Sequence, residues 1–97
     1  SKILLLLMSL TKESAYLYSY AKKLRKINRA IKKHSKHADK HKRRHNKAKT
    51  LTEQDKHKRK HESKVIDINK LAHEHRRIMQ KLLTHYRKFT HELKSKH

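Results

Sequence analysis

The side chains best equipped for chemistry are the histidines. His34 and His37 stand three residues apart, His37, His41 and His45 follow at intervals of four, and His57 and His61 repeat that interval further along. On a helix these spacings bring imidazoles to one face, where two rings could chelate zinc or copper. The electrostatics oppose it: each pair is flanked by Lys or Arg that repel a dication, and no thiolate or carboxylate cluster offsets them. No metal and no cofactor is therefore expected. The imidazoles read instead as phosphate contacts, whose protonation below about pH 6.5 would add up to 11 charges to the net +21. His73-Glu74-His75 lacks the spacing of the HExxH zinc helix, and His75 falls in an apolar series, where a satisfied core histidine is expected. The 8 acids are scattered, and with 0 Gly neither a phosphate loop nor a nucleophile elbow can be built. The chain is expected not to be an enzyme, and no catalytic residue is assigned.

The elements that carry these residues are helices. With 97 residues there is room for one domain at most, and with 0 Gly and 0 Pro tight hairpin turns are out of reach, so a β-rich fold is excluded. With 0 Cys there are no disulfides and no thiolate sites. Counting in sevens from Ile3 gives Leu10, Leu17, Leu24, Ile31 and Ala38; a companion series runs Leu6, Glu13, Tyr20, Ile27, His34, His41 and Ala48, broken only by Glu13. The second half has its own series, Val65, Ala72, Met79, Tyr86 and Leu93, interleaved with Ile68, His75, Leu82 and Phe89 and widened by Leu71, Ile78 and Leu83. Between them Thr50-Leu51-Thr52-Glu53 matches a capping box, Asp55 adds negative charge to the first turn, and Asn46 is the nearby residue most able to leave the right-handed helical region.

These signals predict a single all-α domain over 1–97: helix 1 over about 3–47, a turn over about 46–52, and helix 2 over about 52–95. The expected fold is an antiparallel hairpin with an apolar base and a basic, His-rich tip, in which residue i faces roughly residue 100 minus i and Leu17 faces Leu83. The core and subunit contacts are assigned to Ile3, Leu6, Leu10, Leu17, Tyr20, Leu24, Ile27 and Ile31 on the first arm, and to Val65, Ile68, Met79, Leu82, Tyr86, Phe89 and Leu93 on the second. Residues 3–8 are apolar all round, so one partner helix cannot cover them, and self-association or association with a similar helical subunit is expected. This run is far short of the roughly 20 residues needed to span a bilayer and is read as mature chain rather than a signal peptide. Membrane contact through residues 3–10 is the lesser reading.

The charge requires a polyanionic partner. Lys plus Arg number 29 against 8 acids, and the tip carries Lys32, Lys33, Lys36, Lys40, Lys42, Arg43, Arg44, Lys47, Lys49, Lys56, Lys58, Arg59, Lys60 and Lys64, the candidate nucleic-acid-binding set. Only Ala38, Ala48 and Leu51 are apolar between residues 32 and 64. The isolated tip is therefore expected to be frayed or marginally helical, becoming fully helical against phosphates. It holds no aromatic stacking platform, since Tyr16, Tyr18, Tyr20, Tyr86 and Phe89 all lie in the apolar half. Lys outnumbers the residues that make bidentate base contacts, so the expectation is sequence-independent binding of double-stranded DNA through its phosphates.

In kind, the basic helices around residues 32–44 and 56–64 together with the apolar arms resemble the small helical DNA-wrapping capsid proteins of filamentous archaeal viruses, and equally small nucleoid proteins. That resemblance covers the chain as architecture, without a diagnostic motif. It implies a structural role in many copies, in a virion or nucleoid rather than in a secreted protein, with helix pairs wrapped on the duplex in the viral case. Two other classes stay open: an RNA-binding component of ribosomal type, and a membrane-surface amphipathic module.

Overall fold

The computed structural model describes residues 1–94. They form two helices, α1 (Lys2–Lys47, 46 residues) and α2 (Leu51–Lys94, 44 residues), with no strand among the described residues. The chain is an all-α helical hairpin. The end expected for helix 2 at residue 95 lies outside the described residues.

Caps and turn chemistry explain where the helices begin and end. Ser1 caps α1, its Oγ accepting from the Leu4 amide at 3.2 Å and its carbonyl from the Leu5 amide at 3.1 Å. Thr50 caps α2 through the amide-to-hydroxyl half of the expected box, Glu53 N–H donating to Thr50 Oγ1 at 3.2 Å. Arg44, His45 and Lys47 place cationic or protonatable groups on the last turn of α1, where the helix dipole favours them. The reversal takes only residues 48–50, and no described residue adopts a positive φ. Asn46 thus stays helical. The turn tightens instead through a bond from the Ala48 amide to the His45 carbonyl at 3.2 Å, and Gln54 Nε2 reaches back to the otherwise orphaned Ala48 carbonyl at 3.3 Å.

Two compact units divide the chain: unit 1, Ser1–Lys26 with α2 from His75 onward, and unit 2, Ile27–Glu74. In each, a stretch of α1 lies antiparallel to a stretch of α2. On α1 one series of protected positions alternates by three and four, with Ser9, Ala30 and Ser35 half-buried beside it. Leu6, Leu10, Glu13, Leu17, Tyr20 and Leu24 belong to unit 1, and Ile27, Ile31, His34, Ala38, His41 and His45 to unit 2, where Ala48 continues the series just past the helix. This is the series expected for the first arm, except that Ile3 is 73% exposed.

On α2 the seam keeps Ile68, Leu82 and Phe89 of the expected set and leaves out the rest. Gln54, His57, His61, Lys64, Ile68 and Leu71 line it in unit 2, and His75, Ile78, Leu82, His85, Phe89 and Glu92 in unit 1. Val65, Met79, Tyr86 and Leu93, expected in the core, are exposed, as is Leu83, expected opposite Leu17. The contacts of both units put residue i opposite about residue 98 minus i rather than 100 minus i. The two candidate stripes of α2 are adjacent, about 100° apart around the helix, and both are apolar, so hydrophobicity alone does not choose between them. Polar partners do: the observed face brings His85 to Glu13 and His57 to His41.

Burial is shallow. Leu24, Ile27, Ala38 and Ile78 are the buried apolar residues, no described side chain is fully buried, and the chain exposes 8103 Å². A compact folded chain of this mass would expose about 5,900 Å². The segment expected to fray is helical throughout except at the turn, because its seam is filled by imidazole rings around Ala38, one of the least exposed residues of the chain at 4%.

Candidate nucleic-acid interface

Of the fourteen basic side chains assigned to the interface, thirteen are exposed: Lys32, Lys33, Lys36, Lys40, Lys42, Arg43, Arg44, Lys47, Lys49, Lys56, Lys58, Arg59 and Lys60. Lys64 is half-buried at a seam position. Arg59 meets Asp55 at 3.5 Å, an exposed pair worth little. All fourteen belong to unit 2.

Their arrangement is more ordered than a charge run. Arg29, Lys33, Lys36, Lys40, Arg43 and Lys47 follow one another by alternating steps of four and three, and all are exposed. That alternation matches the α1 seam but is offset from it to the opposite side of the helix, so the six cations form one outward stripe. At 1.5 Å per residue the stripe offers one cation per ~5 Å of helix. In sequence the same alternation extends back to Lys26 and Lys22, both exposed in unit 1.

Arg29 and these two lysines were missed by a reading drawn to the densest charge, although their spacing was legible. The contrast between an apolar base and a basic tip is also weaker than expected. Unit 2 holds 16 Lys and Arg against 6 acids, net +10, and unit 1 holds 13 against 2, net +11. In unit 1 the sites include Lys22, Lys23, Arg25, Lys26, Arg76, Arg77 and Lys81, all exposed. Charge density alone had hidden this, because unit 1 interleaves its cations with apolar residues.

The histidines lie largely in the seam rather than on the outward face. His41 and His57 meet across unit 2, Nδ1 to Nδ1 at 3.3 Å with rings stacked at 5.6 Å. The Nδ1–H of His61 donates to the Ala38 carbonyl at 2.9 Å, and His34 Nδ1 is buried without a partner. Desolvation, then Lys60, His57, Arg44 and Lys40, hold His41 below the ordinary 6.5. His57 is lowered by desolvation and by Arg44, Lys60 and Lys56 against the opposing pull of Glu53. His37, exposed on α1, is lowered by partial desolvation and by Lys64, Lys33, Lys40 and His34. The rise in net charge expected as pH falls through 6.5 is therefore displaced to lower pH at these three rings. Among the described residues no three or more His, Asp or Glu side chains gather to hold a metal ion.

In unit 1, His85 Nδ1 meets Glu13 Oε2 at 2.5 Å, with Tyr16 stacked on the imidazole at 4.4 Å and Tyr20 tilted against it at 5.5 Å. Glu13, the apparent break in the heptad, is 9% exposed and has its partner here. The apolar N-terminal residues Ile3, Leu4, Leu5, Leu7 and Met8 are exposed. No helix is long and apolar enough to cross a membrane, among the described residues. No protein-family model, curated protein or solved structure matches the chain. What defines the molecule is thus its own geometry, an all-α hairpin with cationic outer faces.

Proposed function

We propose that this protein is a non-enzymatic structural nucleic-acid-binding protein that coats and compacts duplex DNA through phosphate contacts, acting in many copies in a nucleocapsid or nucleoid. The outward stripe from Arg29 to Lys47 is the observation that carries this reading. Six cations at regular spacing on one rigid helix match a partner that is itself a regular row of charge, and duplex DNA presents one phosphate per ~1.7 Å of axis. Binding releases condensed counterions, and self-repulsion at net +21 is relieved in the same step. No base-reading constellation accompanies the stripe, which favours backbone recognition.

Side-by-side association is assigned to the apolar surface that the hairpin seam leaves open. It lies in unit 1 and comprises Ile3, Leu4, Leu5, Leu7 and Met8 on α1, and Met79, Tyr86 and Leu93, seven residues apart, on α2. The other copy covers these groups once DNA neutralises the repulsion between chains.

Titration onto duplexes of increasing length at two salt concentrations tests the proposal. Constant base pairs covered per protomer, cooperative onset and a steep salt slope are expected. Saturation at one protomer or dimer irrespective of length, or preference for a folded RNA, overturns it in favour of a site-specific RNA component. Binding to anionic vesicles without DNA binding, lost on deleting residues 3–8, overturns it in favour of a membrane-surface module.

A further inference from the structure

We infer that the hairpin of unit 2 is an acid-opened latch, held shut by neutral histidines along its seam and released when His41 and His57 both take up a proton. Between Ile31 and Ile68 the seam is almost without hydrocarbon. It is built from His34, Ala38, His41 and His45 on α1, Ala48 at the turn, and Gln54, His57, His61 and Lys64 on α2. Helix pairing here depends on ring contacts rather than on apolar burial.

The central contact is conditional on protonation state. Two Nδ1 atoms at 3.3 Å need a proton on one and a lone pair on the other, so the bond exists with one shared donor and is lost when both nitrogens carry hydrogen. A second proton also places two cations in stacked rings 5.6 Å apart. The surroundings do not offset it. His41 is faced from α2 by His57 and Lys60 and flanked on α1 by Lys40 and Arg44, with His37 and His45 one turn away; His57 is faced from α1 by His41 and Arg44 and flanked on α2 by Lys56 and Lys60, with His61 one turn away. Glu53 is the one carboxylate acting on His57. Desolvation first, and then these charges, lower the proton affinity of both rings.

In unit 1 the seam imidazole, His85, meets the carboxylate of Glu13 instead of a second ring. The latch stands apart from nucleic-acid binding and is tested without DNA.

The full chain contains 0 native Cys, so nitroxide labels at Lys36→Cys and Glu62→Cys, exposed sites on the two helices of unit 2, report their separation by pulsed electron paramagnetic resonance. One short distance is expected at pH 7.5, and mainly long, broad distances at pH 5.0. The open-to-closed ratio should rise by more than about tenfold per pH unit, since more than one proton is taken up on opening. Imidazole proton shifts in the same samples report ring protonation. The labelled double variants His41→Leu/His57→Leu and His41→Gln/His57→Gln should keep the short distance at pH 5.0, and the Gln pair decides if the Leu pair does not fold. An unchanged distance with both rings protonated, or a Gln pair that opens over the same pH range as the parent, overturns the inference.

Discussion

Glu13 is the buried acid of the described chain, and its partner lies 72 residues away in sequence. Its place in the heptad was legible, since it falls on the Leu6 and Tyr20 series, but its reading as a break was not the whole account. Nothing local marks His85 as the group that satisfies it. A buried polar group left without its partner costs about 1–3 kcal/mol, whereas replacing both partners by apolar groups is often neutral or stabilising. Glu13→Leu and His85→Leu alone should therefore each lower unfolding stability by about that amount, and the double variant should recover most of it. Urea unfolding of the four chains measures the cycle, and additive losses would remove the pair from the account. The lowered histidines set a second expectation. For His37, His41 and His57 the unfolded rings take up protons near 6.5 while the folded rings resist. Their contribution is flat above pH 6.5, and stability falls as pH drops from 6.5 through the folded values. A urea midpoint at pH 5.5 equal to that at pH 7.5 would contradict this.

At the scale of elements, each helix could be read separately. The absence of Gly and Pro, the Thr50 cap and the three-four alternation place α1 and α2 within a few residues of their observed bounds. The α1 seam follows because that helix has one dominant stripe. α2 has two, and the expected set mixed them: Ile68, Leu82 and Phe89 lie in the seam, while Val65, Met79, Tyr86 and Leu93, about 100° round the helix, are exposed. Adjacent leucines test the outcome. Leu82→Lys puts a charge into the seam and should cost about 2–5 kcal/mol, while Leu83→Lys, on an exposed position, should change stability by less than about 0.5 kcal/mol. Thermal or urea unfolding at a concentration where the chain is monomeric separates the two, and equal losses would restore the register in which Leu83 faces Leu17. Leu24 and Leu82, assigned beforehand to core and subunit contacts together, sit in the intramolecular seam, so their loss acts on the hairpin itself.

For the molecule as a whole, the charge is shared between units at +10 and +11, and this alters what deletion of the tip should do. Under the proposed function, removing tip cations should weaken DNA binding in steps rather than abolish it, because the exposed lysines and arginines of unit 1 remain. Arg29→Gln, Lys36→Gln and Arg43→Gln together remove three charges from the stripe, and the slope of log K against log salt should become shallower by about 2.7. The same number of substitutions at half-buried or paired positions, such as Lys64 and Arg59, should change it less per residue. Equal slopes for the two sets would show that the stripe has no special part. The sequence by itself determined the all-α class, the span of both helices, the basic character and the α1 seam, since propensity, capping and periodicity are properties of one segment at a time. Only the tertiary structure decided which α2 face turns inward and which polar groups meet, Glu13 with His85 and His41 with His57. That choice rests on complementarity between side chains far apart in the chain, and where two neighbouring stripes are equally apolar, periodicity carries no information to make it.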